Sequence, residues 1–507
     1  MNKKLDLLLV TPAAQRKLYQ GLAEDISVKE PVPWTGLLAE SCRSKGFSVA
    51  IIDMHAENLS YQETTTRIQE INPKLVLFCC YGANPNASSS SMTGAVKTAQ
   101  ELKNLYPEYK ISFIGPHVNA LPLETLDKHN FIDIVFTNEG VYALHNLLAT
   151  DLKDLSQVKG IGYKKDGISH LNPPEKLVPQ ELLEYDLPGM AWDLMPSLDK
   201  YRTGYWQAYF QGKDRSPFAS IYTSLGCIYS CSFCMINIIN KTDNDQTKTA
   251  KDFNTFRYWS PNFIIKQLDY LAECNVKYIK IADEMFCLKP KHFLELARLM
   301  AERQYPFKGW FYSRIDTIKE QYLEILLKAG LNVAALGIES ANQQVRLEIE
   351  KGKFKDVNIR EVVNMIHSSG MDVGANYIVG LPKDNFDSMQ ATLDLAIELN
   401  TLNMNVYSST ALPGSPLYLD MKNNGSVPTE YSEFGFLSYD HKPTPTDYLS
   451  QSDIEAFRDY FYETYWTNPK ILSTIYNKYG PNACDTIKKM NKIKLKRNLL
   501  ENHPIYK

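Results

Sequence analysis

Gly226-Cys227-Ile228-Tyr229-Ser230-Cys231-Ser232-Phe233-Cys234 sets three thiols close together, directly behind an apolar run at Ala219–Ser224. Thiolates on one short loop can ligate an iron–sulfur cluster. A cubane has one more iron than this loop has cysteines, which leaves one iron open to a reactant. Zinc is the competing reading, but a structural zinc site takes four ligands, usually from paired Cys-x₂₋₄-Cys units. No fourth Cys or His stands in the immediate neighbourhood.

Outward from this loop the chain alternates strand and helix. Apolar runs recur at Ala219–Ser224, Tyr278–Ala282, Gly309–Ser313, Val333–Ile338, Val373–Val379 and Met404–Ser408. Between the first two, Ser260 is placed to cap a helix. Pro261 follows at the first helical position, and Ile264, Ile265, Leu268 and Leu271 form one apolar stripe. The spacing predicts a partial (βα)6 parallel barrel over residues 218–425, with its active site at the carboxyl ends of the strands.

Residues 1–150 show the same alternation, with runs at Leu5–Val10, Val49–Ile52, Leu75–Cys80, Ile111–Ile114 and Ile132–Phe136. Runs this apolar suit strands covered on both faces, which predicts a doubly wound α/β domain. Its strand ends read Thr11-Pro12, Tyr81-Gly82-Ala83-Asn84, Gly115-Pro116-His117 and Asn138-Glu139-Gly140. Residues 151–217 read as a connector, with a hairpin turning at Lys165-Asp166-Gly167 and prolines thereafter. Residues 426–507 read as helical. Ser452 and Glu455 form a capping-box pattern, and Ile454, Phe457, Phe461 and Tyr465 a packing stripe.

At 507 residues, two or three domains are expected, and 44% apolar with 22% charged residues is ordinary for a globular protein. A net charge of -3 gives no reason to expect nucleic acid. The basic stretch Lys488, Lys489, Lys492, Lys494, Lys496 and Arg497 reads as a solvated helix face. The opening apolar run is too short for a signal peptide, and no segment approaches about 18 consecutive apolar residues. The expectation is a cytoplasmic protein with no membrane partner. Cys42, Cys79, Cys80, Cys274, Cys287 and Cys484 read as ordinary thiols of a reducing compartment.

Cys-x₃-Cys-x-aromatic-Cys after the first strand of a six-unit βα series resembles the radical-SAM superfamily. The resemblance implies a 4Fe–4S cluster on Cys227, Cys231 and Cys234, with S-adenosylmethionine (SAM) chelating the open iron. Reductive cleavage of SAM then yields a 5′-deoxyadenosyl radical. An electron donor such as flavodoxin or ferredoxin is implied. Phe233 would pack near the adenine. Asp283 or Glu284 would receive the SAM amino group, Arg314 its carboxylate, and Glu339 and Ser340 the ribose or methionine moiety. For each of these charged residues a structural ion pair at the barrel rim is the alternative. No catalytic residue is assigned.

The α/β domain ahead of the barrel makes the chain resemble the cobalamin-dependent class of that superfamily. Thr11, Ser88, Gly115, Glu139 and Gly140 then become candidate cobalamin contacts, since small residues let a backbone approach a large flat ligand. Cobalamin domains with a cobalt-ligating histidine carry it in Asp-x-His-x-x-Gly after the first strand, where this chain has Thr11-Pro12. Asp53-Met54-His55 matches only superficially, because it follows the second strand and lacks the glycine. A domain without the cofactor is the alternative. The expected activity is a cobalamin-dependent methyl transfer to an unactivated carbon of a small molecule. Its rivals are a non-methylating rearrangement, cyclisation or oxidation with the same cofactors, and a binding module without turnover.

Overall fold

The first five apolar runs become parallel strands: β1 (Leu5–Thr11), β2 (Val49–Asp53), β3 (Pro73–Cys79), β4 (Lys110–Ile114) and β5 (Ile134–Phe136). The structure, a computed structural model, describes residues 4–23, 26–210, 214–351, 357–501 and 503. The strands lie in the order β2-β1-β3-β4-β5, so the direction of winding reverses beside β1, where a doubly wound sheet opens its crevice.

The hairpin β6 (Ile161–Lys165) and β7 (Ile168–Leu171) forms as expected. Asp166 and Gly167, at φ 52° and 79°, make the tight turn that favours glycine. It is not a free connector, because β6 pairs antiparallel with β5 and extends the first sheet to seven strands.

The second series begins with β8 (Phe218–Ile221), followed by the short antiparallel pair β9 (Ser224–Leu225) and β10 (Arg257–Tyr258). Next come β11 (Tyr278–Ile281), β12 (Lys308–Arg314), β13 (Leu331–Glu339), β14 (Asp372–Val379) and β15 (Asn403–Ser408). β8 and β11 to β15 pair in chain order, all parallel, into a six-stranded open barrel. The helix Pro261–Glu273 between β10 and β11 starts where its cap predicts: the Ser260 side chain accepts from the Phe263 N–H. Its four-residue stripe is buried.

One face of the first sheet has a separate core around Phe78, Phe113 and Ile132. The other face, with Leu7, Leu75, Ile134 and Phe136, runs without a break into the apolar core of the barrel. The two units therefore share a core.

The C-terminal helix Gln451–Thr467 corrects the sequence reading at its start. Its cap is Ser450 with Asp453, two residues earlier than the Ser452–Glu455 pattern. Glu455 is buried instead, paired with His441 at 2.9 Å and Arg497 at 2.7 Å. Ile454, Phe457, Phe461 and Tyr465 are buried as a packing stripe should be. Lys488, Lys489, Lys492, Lys494 and Lys496 are exposed, whereas Arg497 is buried on Glu455 and Asp459.

Candidate functional site

The carboxyl ends of both sheets face one cavity of about 450 Å³. From the first unit it takes Thr11, Pro12, Gln15, Glu30, His55 and the loop Gly82–Ala87. From the barrel it takes Cys227, Cys231, Phe233, Cys234, Glu284, Arg314 and Glu339. Phe434 to Leu437, ahead of the C-terminal helix, close a further side.

The cysteine loop is held from within. Asn237 accepts the Cys227 N–H at 3.0 Å and donates back to the Cys227 carbonyl at 2.7 Å. The Tyr229 ring stacks 3.8 Å from the Arg314 guanidinium, which ties the loop to the end of β12. Burial pushes the Cys227 thiol up to about 12 and raises Cys234 as well. Such thiols stay neutral at pH 7 unless a cation replaces the proton. Among the described residues, no three Cys, His, Asp or Glu side chains are grouped to hold a single metal ion. Cys227, Cys231 and Cys234 all line the cavity.

At the end of β11 the two acidic candidates separate. Asp283 is fully buried and faces away from the cavity. It accepts from the Thr223 N–H, the Thr223 hydroxyl and the Ser224 hydroxyl, each at 2.6 Å. It fastens β8 and β9 to β11. Glu284 lines the cavity, where burial pushes its carboxyl up to about 8 against the opposing pull of Lys280. A carboxyl so placed gains by meeting a cation.

Arg314 reaches the cavity with its Nε and Nη2 each 2.9 Å from Asp316. Glu339 lies at a left-handed φ of 67°, where the register of β13 against β14 shifts, and its side chain is turned to the cavity. Non-glycine residues adopt that conformation uncommonly. Ser340 does not reach the cavity. Its hydroxyl lies 3.3 Å from Thr392 and accepts from the Asn342 N–H, which makes it part of a turn.

Of the five candidate cobalamin contacts, only Thr11 lines the cavity. Ser88 donates to the Cys80 carbonyl and accepts the His117 N–H, so it joins the loops after β3 and β4. A side chain on Gly115 would meet the Cys80 carbonyl oxygen at 2.3 Å, and one on Gly140 would meet Ile114 at 2.3 Å. Both glycines let protein approach protein. Glu139 is 1% exposed, pairs with Arg257 of β10 at 2.6 Å and accepts the Val178 N–H. It is a buried ion pair that ties the first unit to β10.

Sequence reasoning missed Gln15, Glu30, Asn86, Tyr312, Tyr407 and Phe434–Leu437 as cavity residues. The Asn84-Pro85-Asn86 turn behind β3 was the one visible signal among them, since asparagines there anchor a loop. Glu30 has a further role: its Oε1 lies 2.5 Å from the Lys280 ammonium, deep in the barrel.

The sequence profile of the radical-SAM superfamily matches residues 221–396, and that of the B12-binding domain matches residues 22–148. The chain belongs to the cobalamin-binding radical-SAM enzymes. A solved member of this class, OxsB with aqua-cobalamin and SAM bound, superposes with a TM-score of 0.67 at 15% identity. The match covers 97% of this chain and 71% of that one. An uncharacterised methyltransferase of Pyrococcus horikoshii is 25% identical over 419 residues, 82% of this chain and 83% of the relative. The anaerobic magnesium-protoporphyrin IX monomethyl ester cyclase of Rubrivivax gelatinosus is 23% identical over 439 residues, 85% and 73% of the two chains.

A 4Fe–4S cluster, SAM and cobalamin are the cofactors of the radical-SAM enzyme. The residues present fit them. The three thiols could supply cluster ligands, Glu284 and Arg314 could meet the ammonium and carboxylate of an amino acid, and Gly82, Ala83 and Ala87 leave room at the first sheet's strand ends. No helix among the described residues is long and apolar enough to cross a membrane.

Proposed function

We propose that this enzyme methylates an unactivated carbon of a small molecule held in the cavity between the two units. The observation that carries the proposal is that strand ends of the B12-binding and radical-SAM units line the same chamber. When bound, cluster and SAM supply a hydrogen-abstracting radical, and cobalamin supplies a methyl group.

The chain's own residues do the positioning. Cys227, Cys231 and Cys234 would hold the cluster, with Phe233 beside the adenine. Glu284 would take the SAM ammonium, and Arg314, oriented by Asp316, its carboxylate. Glu339 would accept from ribose hydroxyls. Tyr19, Tyr312, Tyr407, Phe434 and Phe436 give the chamber aromatic walls, which exclude water and suit an apolar substrate. An electron carrier of the flavodoxin or ferredoxin class would supply the reducing equivalent.

Likeness to a cyclase favours a second reading, in which the same cofactors perform a ring closure without methyl transfer. Anaerobic incubation of reconstituted protein with SAM, a reductant and candidate metabolites tests both. Methyl transfer adds a CH₂ unit to product mass, and ring closure does not. Replacing Cys227, Cys231 and Cys234 together with alanine should abolish the cluster's visible absorbance and 5′-deoxyadenosine formation. Full iron content in that variant would overturn the assignment.

A further inference from the structure

We propose that Asn86, a residue of the B12-binding unit, tunes the reduction potential of the cluster through Cys234; this rests on the cysteine assignment above. The Asn86 Nδ2 lies 3.7 Å from the Cys234 Sγ, within reach of an N–H···S bond, which is longer than N–H···O because sulfur is larger. Amide oxygen and nitrogen are told apart here by their partners. Oδ1 accepts the Met235 N–H at 3.1 Å and lies 3.8 Å from the same Sγ, which can donate to it only as a thiol. With the sulfur deprotonated as a cluster ligand, Nδ2 is the Asn86 side-chain atom that can bond to it. The side chain is set from its own end too: Asn84 accepts the Asn86 N–H at 3.0 Å in a tight turn directly after the loop that follows β3.

The cysteine loop provides for its own sulfurs locally. Backbone N–H groups two residues on, at Tyr229 and Ile236, point to Cys227 and Cys234 respectively. At Cys234 the Asn86 donor is additional, and it arrives from a different domain across 148 residues of sequence. On reduction a cluster gains one electron, and the added negative charge is shared with its thiolate sulfurs. A donor dipole aimed at a sulfur stabilises the reduced state more than the oxidised one and raises the potential. The B12-binding unit thereby helps to set how easily the cluster accepts the electron that SAM cleavage needs.

The test uses full-length protein reconstituted anaerobically without SAM, followed by redox titration monitored by electron paramagnetic resonance, with iron content measured on the same samples. Asn86→Ala should shift the one-electron equilibrium roughly three- to tenfold towards the oxidised cluster, tenfold being about 59 mV. Asn86→Asp keeps the acceptor for Met235 but puts negative charge beside the sulfur, and should shift it further in the same direction. Ser90→Ala, in the same cavity wall, should leave the potential unchanged. An unchanged or raised potential with full iron in the Asn86 variants would overturn the inference and leave the cysteine assignment standing. Absence of a cluster in the unaltered protein would overturn both. If Asn86→Ala fails to hold iron, Asn86→Asp carries the test. Loss of iron in both variants would assign Asn86 a purely structural role.

Discussion

Neighbouring acidic residues at the end of β11 show how much one step along a strand decides. Glu284 opens on the cavity, while Asp283 is spent on Thr223 and Ser224. Glu284→Gln should therefore weaken SAM binding about tenfold to a hundredfold with iron content intact, as expected for a charge-assisted hydrogen bond. Asp283→Asn should instead lower stability. Equilibrium binding of SAM beside a thermal melt separates the two outcomes. The pH dependence follows from the same burial. With its carboxyl pushed up to about 8, Glu284 must lose a proton to meet an ammonium, so SAM affinity should fall about tenfold per pH unit below that value. Glu284→Gln should flatten this slope. His55 is the second informative residue. Gln15 accepts the Ala14 N–H with Oε1 and so directs Nε2 to the His55 Nδ1 at 3.1 Å. Burial holds the ring neutral, down to about 3, so Nε2 carries the remaining proton and offers cobalt no lone pair. The cob(II)alamin form should accordingly show no nitrogen hyperfine splitting, before or after His55→Ala. Splitting that disappears in the variant would make His55 a ligand.

Among the elements, the helix Gln451–Thr467 is fastened by charge as well as by its apolar stripe. Burial by itself would raise the Glu455 carboxyl, but His441 and Arg497 beside it hold it down to about 2. A carboxyl lowered by folding stabilises the protein above its unfolded value near 4.5, and that contribution is lost as pH falls towards 2. Glu455→Gln should cost about 3 kcal/mol, because Arg497 and His441 would be left buried beside a neutral group. Thermal unfolding measured between pH 7 and pH 3 checks this. The variant should melt lower at pH 7 and lose less on acidification than the unaltered protein. Phe434 and Leu437, which precede this helix, line the cavity, so its anchoring also shapes the site.

Over the whole molecule, the two units are joined by a shared core and two buried ion pairs. Glu139 meets Arg257 at 2.6 Å, and Glu30 meets Lys280 at 2.5 Å. Truncating one partner leaves a buried charge uncompensated, whereas replacing both with apolar residues is often neutral. Arg257→Met should therefore expose the connector between β7 and β8 to faster proteolysis, with iron content unchanged. Glu139→Leu in the same chain should restore resistance. Additive effects of the two changes would show that the pair does not couple the units.

Local chemistry carried much of this protein in legible form. Apolar runs placed the parallel strands β1 to β5, β8 and β11 to β15 within two residues of their observed starts, because strands buried on both faces leave little choice of residue. Ser260 and Pro261 marked a helix start, and Asp166-Gly167 a turn. Each is a short-range rule, satisfied by neighbours in sequence. What sequence left open concerned which way a strand end faces and what meets it. Glu284 rather than Asp283, Glu139 on Arg257 rather than on a ligand, Gly115 against the Cys80 carbonyl, and Asn86 beside Cys234 all depend on groups far apart along the chain. A buried charge or a close backbone approach looks alike in sequence whether a ligand or another strand answers it. Only the packing of the two units face to face decides between them.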